Sequence, residues 1–206
     1  MNFINGLSSF FLIVSALNSI KTKNCFWIFA NFYIIFTSFM YNIHKFDVYE
    51  KYPNKIITLN ELSDANDVYL FNDYIAVSLL AFSNIDYLFI KNIGFACFFI
   101  EYYYTKSIEK SNNIIFIIAI ISKILKSCNI YKKYSISKEI LFSASFHLII
   151  ALVVLVTRYK YSYTRETQVL NFILTTIWHY NTVNILSYSS YTMHIELDHC
   201  ALYTLE

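Results

Sequence analysis

A chain of 206 residues, 57% hydrophobic and only 15% charged, falls well short of the roughly 25% charged residues of a soluble domain. Two glycines and one proline leave out the turn punctuation of a water-soluble fold. A net charge of +2 is too small to indicate a nucleic-acid partner. The four cysteines, Cys25, Cys97, Cys128 and Cys200, show no CxxC spacing, so they indicate neither a zinc finger nor a disulfide framework. Cys25 and Cys97 lie in apolar runs and read as small core residues.

A membrane-spanning helix needs about 20 mostly apolar residues, and seven stretches approach that length. The first, 3–20, has no basic n-region and no small-x-small cleavage site, and reads as a membrane helix rather than a cleaved signal peptide. The second, 24–43, is rich in Phe, Ile and Trp. A hydrophilic loop, 45–67, follows it and holds Pro53 and the acids Asp47, Glu50, Glu61, Asp64 and Asp67. The third, 68–85, is interrupted by Asn72 and Asp73. Asn84 and Asp86 mark a tight turn into the fourth, 87–104. The fifth, 113–130, contains Lys123 and Lys126, which can snorkel to an interface. The sixth, 140–157, has the longest unbroken apolar run. The seventh, 169–186, precedes a polar, solvated tail, 187–206.

The expected fold is all-α: a polytopic, seven-transmembrane-helix bundle in one domain, with membrane lipids around it. A soluble bundle would have too few polar residues to coat its surface. A membrane barrel would need alternation that the continuous runs lack, and in lipid a helix is the other backbone that satisfies itself. Lys123, Lys126, Lys132, Lys133 and Lys138 form the heaviest basic cluster. The positive-inside rule makes it cytoplasmic, with the N-terminus outside and the C-terminus cytoplasmic. Lys21 and Lys23 agree with this orientation, whereas Arg158, Lys160 and Arg165 oppose it.

Ionisable residues in such segments cost about 2.5–3.5 kcal/mol for Asp near a helix centre, so each needs a partner or a task. His44 and Asp47 share a helix face at i, i+3 if the helix reaches that far. They read either as a metal ligand beside a carboxylate or as a polar helix end in water. Asp73 reads as a site carboxylate or as an acid near a helix start. His179, with Thr175 one turn earlier, reads as a ligand or as a packing histidine bonded to Thr, Ser or Asn. His147, one turn after Ser143, is a reserve ligand. His194, Glu196, Asp198 and His199 read as a solvated cluster.

Three of these stretches also carry a resemblance. The run 37–47, ending His44-Lys45-Phe46-Asp47, resembles the His-x-x-Asp signature that ends the second helix in the transmembrane protein 8 and myomaker family. The run 69–74, reaching Asp73, is similar to that family's aromatic start of the third helix. Thr175-Thr176-Ile177-Trp178-His179 resembles its seventh-helix motif, with Thr175 where the family has a first histidine. The family is grouped with alkaline ceramidases and the progestin and adiponectin receptors in the CREST superfamily. The resemblance implies a zinc-dependent hydrolase of lipid amide or ester bonds. His44 and His179 would be metal ligands, and Asp73 and Ser38 would be catalytic or supporting groups. Threonine is a poor zinc ligand, so Thr175 also implies a degenerate metal site. The alternative class is a non-catalytic membrane protein in membrane remodelling, adhesion or signalling. A channel or transporter is disfavoured, because there are no charge rings and no pair of broken helices.

Overall fold

The computed structural model describes residues 2–51, 65–85, 88–134, 138–160 and 166–203, and every element among them is helical. The first segment is not one helix. It runs as α1 (Asn2–Leu7), a 3-10 turn (Ser8–Phe11) and α2 (Leu12–Ile20). Then come α3 (Cys25–Lys51), α4 (Ala65–Ser83), α5 (Leu88–Thr105), α6 (Ile108–Tyr134), α7 (Lys138–Lys160) and α8 (Gln168–Tyr203). Helices therefore occupy all seven predicted stretches. Three of them are long and apolar enough to cross a membrane: Phe3–Ile20, Cys25–Val48 and Glu139–Thr157. Val68–Ser83 is a shorter apolar helix.

Local chemistry sets the boundaries. Lys23 takes a left-handed backbone (φ 53°) between α2 and α3, and Asn24 then caps α3 by accepting the Trp27 N–H at 3.0 Å. Ser107 does the same for α6, accepting the Lys110 N–H, after a left-handed Lys106 (φ 52°). Inside the helices several polar side chains are satisfied locally. Ser83, Asn181, Asn184 and Ser190 each donate to the carbonyl four residues earlier.

α3 packs against both the first segment and α4. α8 packs on α2 and α7, and α6 packs on α4 and α5. The main apolar core joins Leu12, Trp27, Ile34, Leu80, Val183 and Leu186. Trp27, fully buried, donates its indole N–H to Ser190 Oγ at 3.0 Å. A second core joins Phe82, Ile85, Ile115 and Ala119, beside which Ser78 bonds Asn112 across α4 and α6.

Four expectations are corrected. The loop expected from residue 45 begins later, because α3 continues to Lys51 and buries Lys45, Phe46 and Val48. The polar tail is helical to Tyr203, and Ser189, Ser190, Thr192 and Met193 are buried. Cys25 is exposed and Cys97 half-buried, so neither is a core residue; both are free thiols. Lys126 is buried and Lys123 lines an interior cavity rather than reaching an interface. Pro53, Glu61, Asp64 and Asp86 lie outside the described residues.

Candidate functional site

The 3-10 turn places the site. Ser8–Phe11 packs against both α3 and α8, which brings two adjacent serines between two long helices. On α3, Ser38 and Asn42 fall on one face at i, i+4, and on α8 so do Thr175 and His179. All of these side chains are buried.

The hydrogen-bond directions follow from one fixed point. The Asn5 carbonyl can only accept, so the Ser8 hydroxyl donates to it (3.0 Å). Ser8 Oγ is then the acceptor for His179 Nδ1–H (3.0 Å). That places a proton on Nδ1, and in the neutral ring Nε2 is then the acceptor. Nε2 lies 3.2 Å from Ser38 Oγ, and the serine hydroxyl donates to it when the ring is neutral. Ser38 Oγ in turn accepts from the Ser9 hydroxyl (3.3 Å) and from Asn42 Nδ2 (3.2 Å). The outcome is a serine hydroxyl beside an imidazole nitrogen, the arrangement of a nucleophile beside its general base.

This pair opens on a cavity of about 160 Å³. Asp73 lines the same cavity, as do Asn42, Thr182 and Trp178, but most of the wall is apolar: Leu12, Ile34, Val77, Leu80, Leu148 and Leu186 among others. Of the four site residues expected from sequence, Ser38, Asp73 and His179 share this space. His44 does not line it; its ring stacks on Tyr69 instead, with centroids 4.5 Å apart. His147 is also elsewhere, with Nδ1 2.8 Å from Asn181 Oδ1 at an open cleft between α7 and α8. The side chains of Glu196, Asp198 and His199 lie outside the described residues.

Thr175 accepts a hydrogen bond from the fully buried Lys45 Nζ at 2.9 Å. Both nitrogens of His179 face hydroxyl groups. Among the described residues no group of three His, Cys, Asp or Glu side chains comes together. A catalytic zinc site takes three protein ligands of these kinds, more than the described residues bring together here.

Sequence reasoning missed Ser8, Ser9, Asn42 and Lys45. The available signal was the spacing Ser38, Asn42, Lys45, a polar stripe at i, i+4, i+7 on an apolar helix. Compared with known proteins, the chain matches no family model, no curated protein and no solved structure.

Proposed function

We propose that the protein is an integral membrane protein, its seven helical segments forming a transmembrane bundle, that hydrolyses an ester or amide bond of a lipid without a bound metal. The observation that carries this reading is the Ser38 hydroxyl donating to His179 Nε2 at the wall of an apolar cavity. Ser38 Oγ attacks the acyl carbonyl while Nε2 takes its proton. The acyl–oxygen or acyl–nitrogen bond then breaks, and the leaving group carries that proton away. Water, giving a proton to the same Nε2, attacks the acyl-serine, releases the carboxylic acid and restores the hydroxyl. Asn42 Nδ2 and the Ser9 hydroxyl both donate to Ser38 Oγ and hold it in place beside the imidazole. Asp73 supplies a carboxylate to the same cavity, where it offsets the charge of the imidazolium.

The resemblance to the transmembrane protein 8 and myomaker family supports the substrate class, a lipid amide or ester. Thr175 and Lys45 support a mechanism without the zinc which that resemblance implies. A second reading, a non-catalytic protein of membrane remodelling, adhesion or signalling, is favoured by the same network, since its bonds also tie the first segment to α3 and α8, and α3 to α8. Fatty-acid release from mixed acyl lipids by detergent-purified, chelator-treated protein separates them. The expected result is release by the parent that falls about 10²–10⁴-fold in His179→Ala. Equal release by both would leave the non-catalytic reading. Activity that the chelator removes would restore zinc.

A further inference from the structure

Away from the Ser38 site, α7 and α8 flank an open, polar cleft of about 370 Å³. It has room for a headgroup rather than for one water, whose share of liquid volume is about 30 Å³. His147 sets the register of the two helices. Its Nδ1 lies 2.8 Å from Asn181 Oδ1. Asn181 Nδ2 donates to the Ile177 carbonyl at 2.7 Å, so Oδ1 accepts and Nδ1 carries a proton. With His147 beside Asn181, and Glu139 and Tyr191 lining the same cleft, the helices run antiparallel. Glu139 therefore stands at one end with Tyr188 and Tyr191, and His147 at the other with Ser143 and Asn184 between them. From Glu139, the first residue of the apolar span 139–157, His147 lies about 12 Å along the helix.

The deeper part of the cleft presents acceptors. Asn184 Nδ2 donates to the Tyr180 carbonyl at 2.8 Å, so the atom of that amide left for a ligand is the oxygen. In the neutral His147 ring, with its proton on Nδ1, the atom left is the Nε2 acceptor. Ser143 adds a hydroxyl oxygen one turn before His147, on the same face. His147 and Asn184 are half-buried and Ser143 is exposed, so each has surface to offer. With His147 level with Asn181, the three fall within about 6 Å along the helix axis. Among the described residues that line the cleft, Glu139 carries a charge and none is a lysine or arginine. Beside it Phe142 and Phe146 expose an apolar face. Polar groups turned towards hydrocarbon are costly unless something satisfies them.

We infer that this cleft binds a primary ammonium carried on an aliphatic tail. Such a group has three N–H donors, one each for His147 Nε2, Asn184 Oδ1 and Ser143 Oγ. Glu139 attracts its charge as it enters, and Tyr188 and Tyr191 supply the aromatic rings near which a cation settles. The tail lies along Phe142 and Phe146. A quaternary ammonium brings the charge without the donors, and an alcohol brings one donor without the charge. A free long-chain amine and an ethanolamine headgroup share the chemistry required. The inference rests on the membrane placement of α7 and on no part of the hydrolase reading.

The test is native mass spectrometry of the detergent-purified chain with single-tailed probes. Dodecylammonium is expected to bind about tenfold tighter than dodecyltrimethylammonium, the worth of the hydrogen bonds that only the first can donate, and tighter than dodecanol. In Asn184→Leu that preference shrinks while dodecyltrimethylammonium binds as it does to the parent. Equal binding of the two cations by the parent, dodecanol binding as tightly as dodecylammonium, or a preference that Asn184→Leu leaves intact overturns the inference. The parent comparisons decide it even if Asn184→Leu does not fold. Extraction from vesicles of equal phosphatidylethanolamine and phosphatidylcholine separates the sources. Selective retention of phosphatidylethanolamine identifies a lipid headgroup, and a dodecylammonium preference without that retention identifies a free amine. A dodecylammonium preference without lipid hydrolysis keeps this site and removes the hydrolase. Hydrolysis with equal binding of the two cations does the reverse.

Discussion

Lys45 has no exposed surface and gives its ammonium to Thr175 Oγ1 at 2.9 Å. A buried charge is costly to hold, and its cost rises when an acceptor is taken away. Thr175→Val, which keeps the shape and removes the acceptor, is expected to destabilise the protein by about 1–3 kcal/mol. Thermal unfolding in detergent measures it; an unchanged unfolding temperature in Thr175→Val would contradict this assignment. The same residues show how legible the site was. Ser38 and His179 stood out because polar groups are few in this chain, and the fold joins them. His44 attracted attention because imidazole is a strong ligand. At 3.6 residues per turn it lies roughly 120° round the helix from Ser38, whereas Asn42 lies only about 40° away. Helical spacing, rather than ligand strength, was the better guide. Ser8 and Ser9 were beyond reach, since nothing local announces that a helix will loosen at serines.

That loosening gives the first segment its role. The 3-10 turn at Ser8–Phe11 turns two consecutive serines into the site, one bonding His179 and the other Ser38. Close approach of α1 to α3 depends on Gly6, where an added Cβ would come within 2.9 Å of the Phe39 ring and 3.0 Å of Ile43. Gly6→Val is therefore expected to cost about 1–3 kcal/mol through overpacking. Gly94 in α5 meets nothing nearer than 3.4 Å. Gly94→Ala is expected to stabilise by about 0.5–1 kcal/mol through helix propensity. Equal effects of the two substitutions on unfolding temperature would sink this packing account. The helices themselves were legible because uninterrupted apolar runs of this length have few alternatives. Their ends were less so. α8 outruns its apolar stretch where Ser190 and Thr192 return their hydrogen bonds to the preceding turn, and α3 outruns its own by burying Lys45, Phe46 and Val48. Polarity there marks satisfied helix rather than loop.

At the scale of the molecule, the apolar surface faces outward. Phe142, Ile149, Val153 and Val156 on α7 are all more than 60% exposed, a belt far larger than isolated surface hydrophobics would make. Among the described residues, three helices have the length and apolar character to cross a bilayer. The protein is accordingly expected to stay in the membrane pellet after alkaline carbonate washing and to leave it only with detergent. Release by carbonate alone would rule out the transmembrane bundle. Within that bundle the central claim is that Ser38 is a nucleophile activated by His179, in place of a metal-bound water. Labelling by a fluorophosphonate, which bonds to activated serines, tests it most directly when the adduct is located by peptide mass spectrometry. The predicted result is a chelator-insensitive adduct on Ser38 that is lost in His179→Ala. An unlabelled Ser38 in folded parent protein, or equal labelling in the parent and His179→Ala, would contradict it.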